Sequence, residues 1–513
     1  MNQVRSRWWA LAGLSLAVLA VSLDGTVLSV ALPTLAGALR ASESDLQWFS
    51  SGYLLVLAAA MLPAGLLGDR YGRKKVLLCS LLLFGAGSAL TAYSASPAQF
   101  IAARMVLGVA GAGVIVMVLS ALTVLFTEQE RPRAIGIWSG VNFIALPAGP
   151  ILGGWLLSHY WWGWVFLINL PVALIGLAAA ALLVPESRAA RRPGLDLAGI
   201  TASTAGLVAL TYGLIEAGEH GWGAAAALIP MIAGLVMLAG FAWYERWLGA
   251  RPGGEPLVDL GLFSSASYTW GVILVAVAIL GMIGVLFTIP QYFQGVLGTD
   301  AMGSGLRLLP LIGGLMLGAV PADRVAGLLG AKLSAVAGFA VLSAGLMAGA
   351  ATGPGSGTGY ALFWTAVAGA GLGLALATSA SAALAELSAE QSGVGSAVLQ
   401  AVNKTGGPFG SAILGSVLLA AYQSSVSVAG LPAAAARAVR SGIFGGVAVA
   451  TQSGSAALLA SVRASFVHGM DAALWVSAGF GLAGLILAAL FLPGHRAGKP
   501  ADTVLEADPV RTT

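Results

Sequence analysis

Apolar stretches of about 20 residues, each long enough to cross roughly 30 Å of hydrocarbon as a helix, recur along the whole sequence. They fall near 8–32, 46–67, 76–95, 99–125, 133–157, 164–184, 197–216, 224–247, 267–292, 301–321, 332–351, 358–381, 393–421 and 467–492. Short segments carrying Gly, Pro, Arg and Asp separate them. A backbone in lipid must satisfy its own hydrogen bonds, which a helix does within one segment. The pattern therefore predicts an all-α membrane protein with fourteen spans. The tenth span is the least regular, because Arg307 and Pro310 interrupt it.

Composition agrees with lipid as the outer solvent. Of the 513 residues, 58% are hydrophobic and only 9% are charged, against about 25% charged in an average soluble domain. The 71 glycines suit close helix approach in a membrane. Arg5 and Arg7 before the first apolar run resemble the start of a signal peptide. That run is too long for one and contains Asp24, so it is read as a retained span. The single cysteine, Cys79, permits no intrachain disulfide.

Basic residues orient the spans. With both termini in the cytoplasm, 18 Lys and Arg fall in inner segments, 4 in outer ones and 3 within spans. Three of the four outer residues, Arg437, Arg440 and Arg463, share the long loop before the last span. Long loops obey the positive-inside rule weakly. The small net charge of +4 is thus a matter of topology, and nucleic acid is not an expected partner.

The chain also looks duplicated. Asp69-Arg70 follows span 2 and Asp323-Arg324 follows span 10, 254 residues later, each among glycines and bases. Such repeats are common in secondary transporters. The expected organisation is a six-helix bundle over 1–190, two additional helices over 191–255, a second six-helix bundle over 256–495 and a cytoplasmic tail over 496–513.

The most specific signal is the loop 65–75, with Gly65, Gly68, Asp69, Arg70, Gly72, Arg73, Lys74 and Lys75. It resembles the motif between spans 2 and 3 of the major facilitator superfamily. Positive-inside anchoring accounts for the bases but not for the glycine and aspartate spacing. Asp69 can accept hydrogen bonds from a helix N-terminus across the bundle interface, and Arg70 and Arg73 can pair with acids or carbonyls, latching an inner gate. Further stretches narrow the family. Leu23, Asp24, Thr26, Ala31, Leu32 and Pro33 resemble the first-span motif of drug:proton antiporters. Arg104 and Gly108 resemble the fourth-span motif, with Leu107 where glutamine is usual. Pro147, Gly149, Pro150, Gly153 and Gly154 resemble the fifth-span motif of exporters, a bend of gating value. Trp162, Trp164, Phe166, Asn169 and Pro171 resemble the start of the sixth span in fourteen-span members, with Gly163 where arginine is common.

The resemblance implies export of drug-like or antibiotic amphipathic molecules in exchange for protons by alternating access. It places the protein in the bacterial cytoplasmic membrane, as a monomer whose partners are a small-molecule substrate, protons and the lipid bilayer. Export of a lipid or another endogenous metabolite, or a non-transporting sensor, stand as alternatives. Neither a nucleotide-binding motif nor a metal cluster is present, so no cofactor, no metal and no enzymatic activity are expected. The glycine runs 108–113 and 369–373 lie inside apolar spans and read as packing faces.

Intramembrane charge marks the candidate site. Asp24 lies 16 residues past Trp8 and about nine short of Pro33, roughly 13 Å from the outer end. Arg104 starts about seven residues into span 4, roughly 10 Å deep. Their similar depth allows an ion pair that tunes proton affinity. Arg307 and Lys404 are also intramembrane charges, while Asp471 and His468 are expected at the outer end of span 14. Candidate substrate contacts are Trp138, Asn142, Phe143, Trp270, Phe287, Trp364, Gln400, Asn403 and Lys404.

Overall fold

A computed structural model of the chain describes residues 2–127, 130–187, 196–251, 260–353, 355–385 and 389–493. Eleven helices among the described residues are long and apolar enough to cross a membrane. The other three expected spans, 46–67, 133–157 and 393–421, fall on helices Glu43–Tyr71, Arg131–His159 and Ala389–Ser425.

The first bundle contains α1 (Asn2–Leu39), α2 (Glu43–Tyr71), α3 (Arg73–Ala92), α4 (Pro97–Leu125), α5 (Arg131–His159), α6 (Trp164–Leu167) and α7 (Asn169–Leu183). Serine oxygens open α2 and α4. Ser42 forms a capping box with Asp45, and Ser96 accepts from the Gln99 amide, satisfying donors that a helix start leaves unpaired. Gly72, at φ +115°, lets the chain pass from α2 to α3 without an intervening loop. Its counterpart after span 10, Gly330 at φ +86°, does the same between α13 (Ala322–Leu329) and α14 (Ala331–Gly349).

Two additional helices follow, α8 (Leu197–His220) and α9 (Ala225–Gly249). α8 packs on both α2 and α16 (Ala389–Ser425), which belong to different bundles. Ser416 Oγ donates to the Leu214 carbonyl at 2.5 Å, and the Trp48 and Tyr212 rings lie 6.3 Å apart. α9 leans chiefly on α8, leaving large apolar side chains such as Ile229, Val236 and Trp243 exposed on its outer face, as a helix bordering lipid requires.

The second bundle contains α10 (Ala266–Gln291), which ends in a π-turn at Tyr292–Val296, then α11 (Ala301–Arg307), α12 (Leu309–Ala319), α13, α14, α15 (Gly357–Leu384), α16 and α19 (Ala456–Phe491). The irregular tenth span is a broken helix. The chain kinks at Leu308, two residues before Pro310, which has no amide hydrogen for the preceding turn. The glycine run of α15 meets backbone on both sides. A side chain at Gly369 or Gly373 would strike the Leu311 or Leu315 carbonyl of α12, and one at Gly371 the Leu342 amide of α14. These are packing faces, as expected.

Each bundle has its own apolar core. Leu14, Val18, Leu81, Phe84, Val114 and Leu122 belong to the first; Met282, Phe339, Leu346, Trp364, Leu372 and Phe466 to the second. The long segment before α19 is not plain loop. It folds as α17 (Ala433–Arg440) and α18 (Ile443–Gln452), lying over the end expected to face outward. α19 itself begins 11 residues before the expected span.

Candidate functional site

Asp24 of α1 and Arg104 of α4 form an ion pair through Oδ2 and Nη1, with both side chains fully buried. Burial of either charge alone would cost several kcal/mol, so each requires the other. The remaining Asp24 oxygen accepts from Asn169 Nδ2 of α7 at 3.3 Å, and that amide also reaches Ser88 Oγ of α3 at 3.3 Å. The Arg104 guanidinium stands 4.2 Å from the Tyr53 ring centre on α2 and 5.8 Å from that of Phe166 on α6. Tyr53 is held in turn by its hydroxyl, which donates to the Val21 carbonyl at 3.1 Å. Arg104 Nε and Nη2 make no hydrogen bond to the described residues. The pair thus gathers six helices of the first bundle around one carboxylate.

Tyr53 had no role in the sequence reading. The depth arithmetic that pairs Asp24 with Arg104 would also have found it, ten residues into α2. Asn169 carries no signal in the sequence beyond its place in the sixth-span motif.

The fifth-span glycines meet α1 and the other bundle. Thr26 Oγ1 donates to the Ala145 carbonyl of α5 at 3.2 Å. A side chain at Gly149 would overlap Thr26, and one at Gly153 would come within 2.9 Å of Val27 Cγ1. Gly154 faces α11 across the bundle interface, where a Cβ would lie 2.8 Å from the Ala301 carbonyl oxygen. Gly305 of α11 packs in return on the Pro150 carbonyl.

Other cross-bundle contacts gather at this same end. Gln294 Nε2 donates to the Val30 carbonyl at 3.2 Å, and Gln291 Nε2 to Glu43 Oε1 at 3.0 Å. Ser51 and Ser411 share a hydrogen bond at 2.5 Å, and Leu54 lies against Gly407. The end of the molecule expected outside is therefore closed.

The loop 65–75 is tied to its own bundle. The Arg73 amide donates to the Ser187 carbonyl at 2.8 Å, the Lys74 amide to Glu186 Oε1 at 3.2 Å, and Lys74 Nζ to the Ala181 carbonyl at 2.6 Å. A side chain at Gly68 would overlap Met117 of α4, while one at Gly65 would sit comfortably 3.6 Å from Val116. The Arg70 guanidinium lies 5.8 Å from the Tyr71 ring.

Several candidate substrate contacts are placed elsewhere. Trp364 was expected to line a cavity. It is instead wholly buried in the core of the second bundle, where Gly349 leaves room for its ring. Trp270 stacks on Phe491 of α19 at 4.3 Å between ring centres. Phe287 packs with the closed outer end beside Phe49 and Phe100. Asn403 is half-buried on α16. The side chains of Asp69, Trp138, Asn142, Phe143, Pro147, Gln400 and Lys404 lie outside the described residues. Arg307 ends α11, with its guanidinium 5.9 Å from the Phe293 ring.

Two helical bundles closed together at one end, with small residues where they meet and a buried ion pair inside the first, have the architecture of a membrane transporter. Residues 14–411 match the Major Facilitator Superfamily, and the chain belongs to that family. It is 33% identical over 516 residues to the tetracenomycin C resistance and export protein of Streptomyces glaucescens, covering 98% of this chain and 94% of that protein. It is equally 33% identical over 468 residues to the multidrug efflux pump LfrA of Mycolicibacterium smegmatis, covering 90% and 92%. Its fold is similar to that of a bacterial homolog of the human lysosomal transporter Spinster in an inward-facing, unoccupied conformation. There the TM-score is 0.67 at 16% identity, over 95% of this chain and 98% of that one.

Proposed function

We propose that this protein exports drug-like or antibiotic amphipathic molecules across the bacterial cytoplasmic membrane in exchange for protons, by alternating access. The two bundles, over 1–190 and 256–495, would rock about the interface, with the linker helices of 191–255 as two additional membrane spans and both termini at the cytoplasmic side. The observation that carries this reading is the buried Asp24 and Arg104 pair. A proton on Asp24 frees Arg104 from the carboxylate it is paired with, and that change in charge biases the bundles toward another arrangement. The closed outer end fits the inward-open half of such a cycle. Relatives named for antibiotic export and multidrug efflux support the direction of transport.

A membrane potential supplies about 2.3 kcal/mol per charge per 100 mV, and each pH unit about 1.4 kcal/mol. One proton can thus sustain a substantial concentration ratio for a neutral substrate. The test is transport in proteoliposomes with and without an imposed pH gradient. Uphill movement that persists after both the pH gradient and the membrane potential are collapsed would rule out proton exchange.

A further inference from the structure

Glu43 is a carboxylic acid buried at the seam between the bundles, about 15 Å along α2 from the Tyr53 layer. It precedes the expected span 46–67 and is only 2% exposed. Its backbone amide donates to the Ser441 carbonyl at 2.8 Å, just past α17. Its Oε1 accepts from Gln291 Nε2 at the end of α10, at 3.0 Å. Both partners belong to the second bundle, so Glu43 is a cross-bundle contact that must break when the outer end opens. Beside it a cavity of about 530 Å³, lined by Ser42, His220, Gln423, Arg437 and Arg440, leads to the outer face.

We infer that Glu43 is a protonatable latch of the outer gate, taking up a proton from the outer side as the bundles close over it and releasing it as they part. The inference rests on alternating access and on the proposed orientation. It assigns proton traffic to a second residue, distinct from Asp24.

The surroundings set the sign. Burial pushes the Glu43 carboxyl up to about 7, partly opposed by the Gln291 hydrogen bond. In the open state, facing water, it returns toward the ordinary value of 4.5. A group whose affinity for protons is raised in the closed state stabilises closure at low pH, and that stabilisation is lost as pH rises through about 7. External acid therefore favours return to the inward-facing arrangement, the direction an exchanger needs after a proton arrives outside. The other groups facing Glu43 have different parts. Asp45 is engaged in the Ser42 capping box. The Tyr422 hydroxyl donates to the Val439 carbonyl at 2.7 Å. Arg437 and Arg440 line the cavity beside it, and His220 pairs with Glu216 at 2.9 Å.

Opening can be read by a cysteine below the latch. Ser51→Cys, in a Cys79→Ser background, is buried between the bundles and reacts with a membrane-impermeant maleimide only when the outer end parts. Asp24→Asn with Arg104→Gln removes the other proton site, and an exposed cysteine at Ala38 normalises for thiol ionisation. With carboxyl values of 4.5 when open to water and about 7 when buried, the normalised rate should rise roughly 40-fold from pH 5 to pH 7. Glu43→Gln should flatten it, while His220→Asn should leave the rise intact. Should Glu43→Gln fail to fold, Gln291→Met provides the second reading. Loss of its hydrogen bond should move the midpoint to higher pH. An undiminished rise in Glu43→Gln, or an unmoved midpoint in Gln291→Met, overturns the latch. A cysteine that stays unreactive at every pH defeats alternating access itself, and the latch with it.

Discussion

The ring of Tyr53 lies 4.2 Å from the Arg104 guanidinium, so the cation of the buried pair rests on an aromatic face as well as on Asp24. A ring quadrupole attracts a desolvated cation by about 2 kcal/mol. Tyr53→Phe keeps that face and gives up only the hydroxyl bond to Val21, worth about 1 kcal/mol. Tyr53→Leu gives up both. Thermal unfolding in detergent should show the leucine variant destabilised by about 2–3 kcal/mol and the phenylalanine variant by less than half of that. Equal losses would assign the role to the hydroxyl rather than the ring.

Asp24→Asn should abolish proton-coupled export while the protein still reaches the membrane. Asparagine keeps the size and cannot carry the charge, but it strands Arg104. An uncompensated buried charge costs about 3–5 kcal/mol, so the single variant should be markedly less stable. Adding Arg104→Gln should recover most of that stability and none of the coupling. Unfolding and transport measured on the same preparations separate the two effects. Full uphill transport by well-expressed Asp24→Asn would remove the carboxylate from the mechanism.

Much of this architecture is legible in the sequence because lipid imposes a simple rule. A span must be apolar and about 20 residues long, so its position is written in one dimension. Depth is also one-dimensional, and counting residues from helix ends put Asp24 and Arg104 at one level. What counting does not supply is the angle around each helix. Trp364 looks like a cavity aromatic and faces the core instead. Glu43 sits in a Ser-Glu-Ser-Asp tract that reads as ordinary helix-start chemistry. Its partner Gln291 is 248 residues away, and nothing local announces the contact. The short helices α17 and α18 were similarly hidden, since a loop over the outer face needs no apolar run of spanning length.

Gly154→Ala should loosen the outer end. The added methyl would lie 2.8 Å from both the Ala301 carbonyl oxygen and the Met302 Cα of α11, which are backbone atoms and cannot turn aside. The helices must separate, and overpacking of this kind typically costs about 1–3 kcal/mol. That cost falls on the closed state alone. Labelling of the Ser51→Cys reporter should therefore quicken by about fivefold or more, as 1 kcal/mol corresponds to roughly that factor. An unchanged rate would mean that α5 and α11 do not part during opening.

Gly72→Ala tests the inner loop. At φ +115° an alanine is strained, and its methyl would stand 2.6 Å from Glu186 Oε1. Glu186 would have to release the Lys74 amide, untying the loop from the end of α7. Backbone strain of this type costs about 1–3 kcal/mol. The expected result is slower transport with substrate affinity retained. Asp69→Asn, which weakens the proposed inner latch, should behave alike. A large loss of binding affinity in either variant, with normal gate motion, would contradict a gating role.

The last expectation concerns substrate charge. Asp24 is the acid at the centre of the first bundle, and Arg104 already neutralises it. Arg307 and Lys404 add positive charge within the expected spans. A bound dication would therefore meet a neutral or positive field, and two desolvated charges without carboxylates are costly. A neutral or anionic amphiphile, or at most a monocation, fits better. If even one charge goes unmatched, the penalty exceeds about 1.4 kcal/mol, so transport efficiency for a dication should fall at least about tenfold below that of its neutral counterpart. Lys404→Gln should narrow that gap by lowering the positive field. The measurement is uptake of a matched neutral, monocationic and dicationic series into everted vesicles. A wild-type preference for the dications would show that a carboxylate other than Asp24 faces the substrate, with Asp471, half-buried on α19, the first to replace.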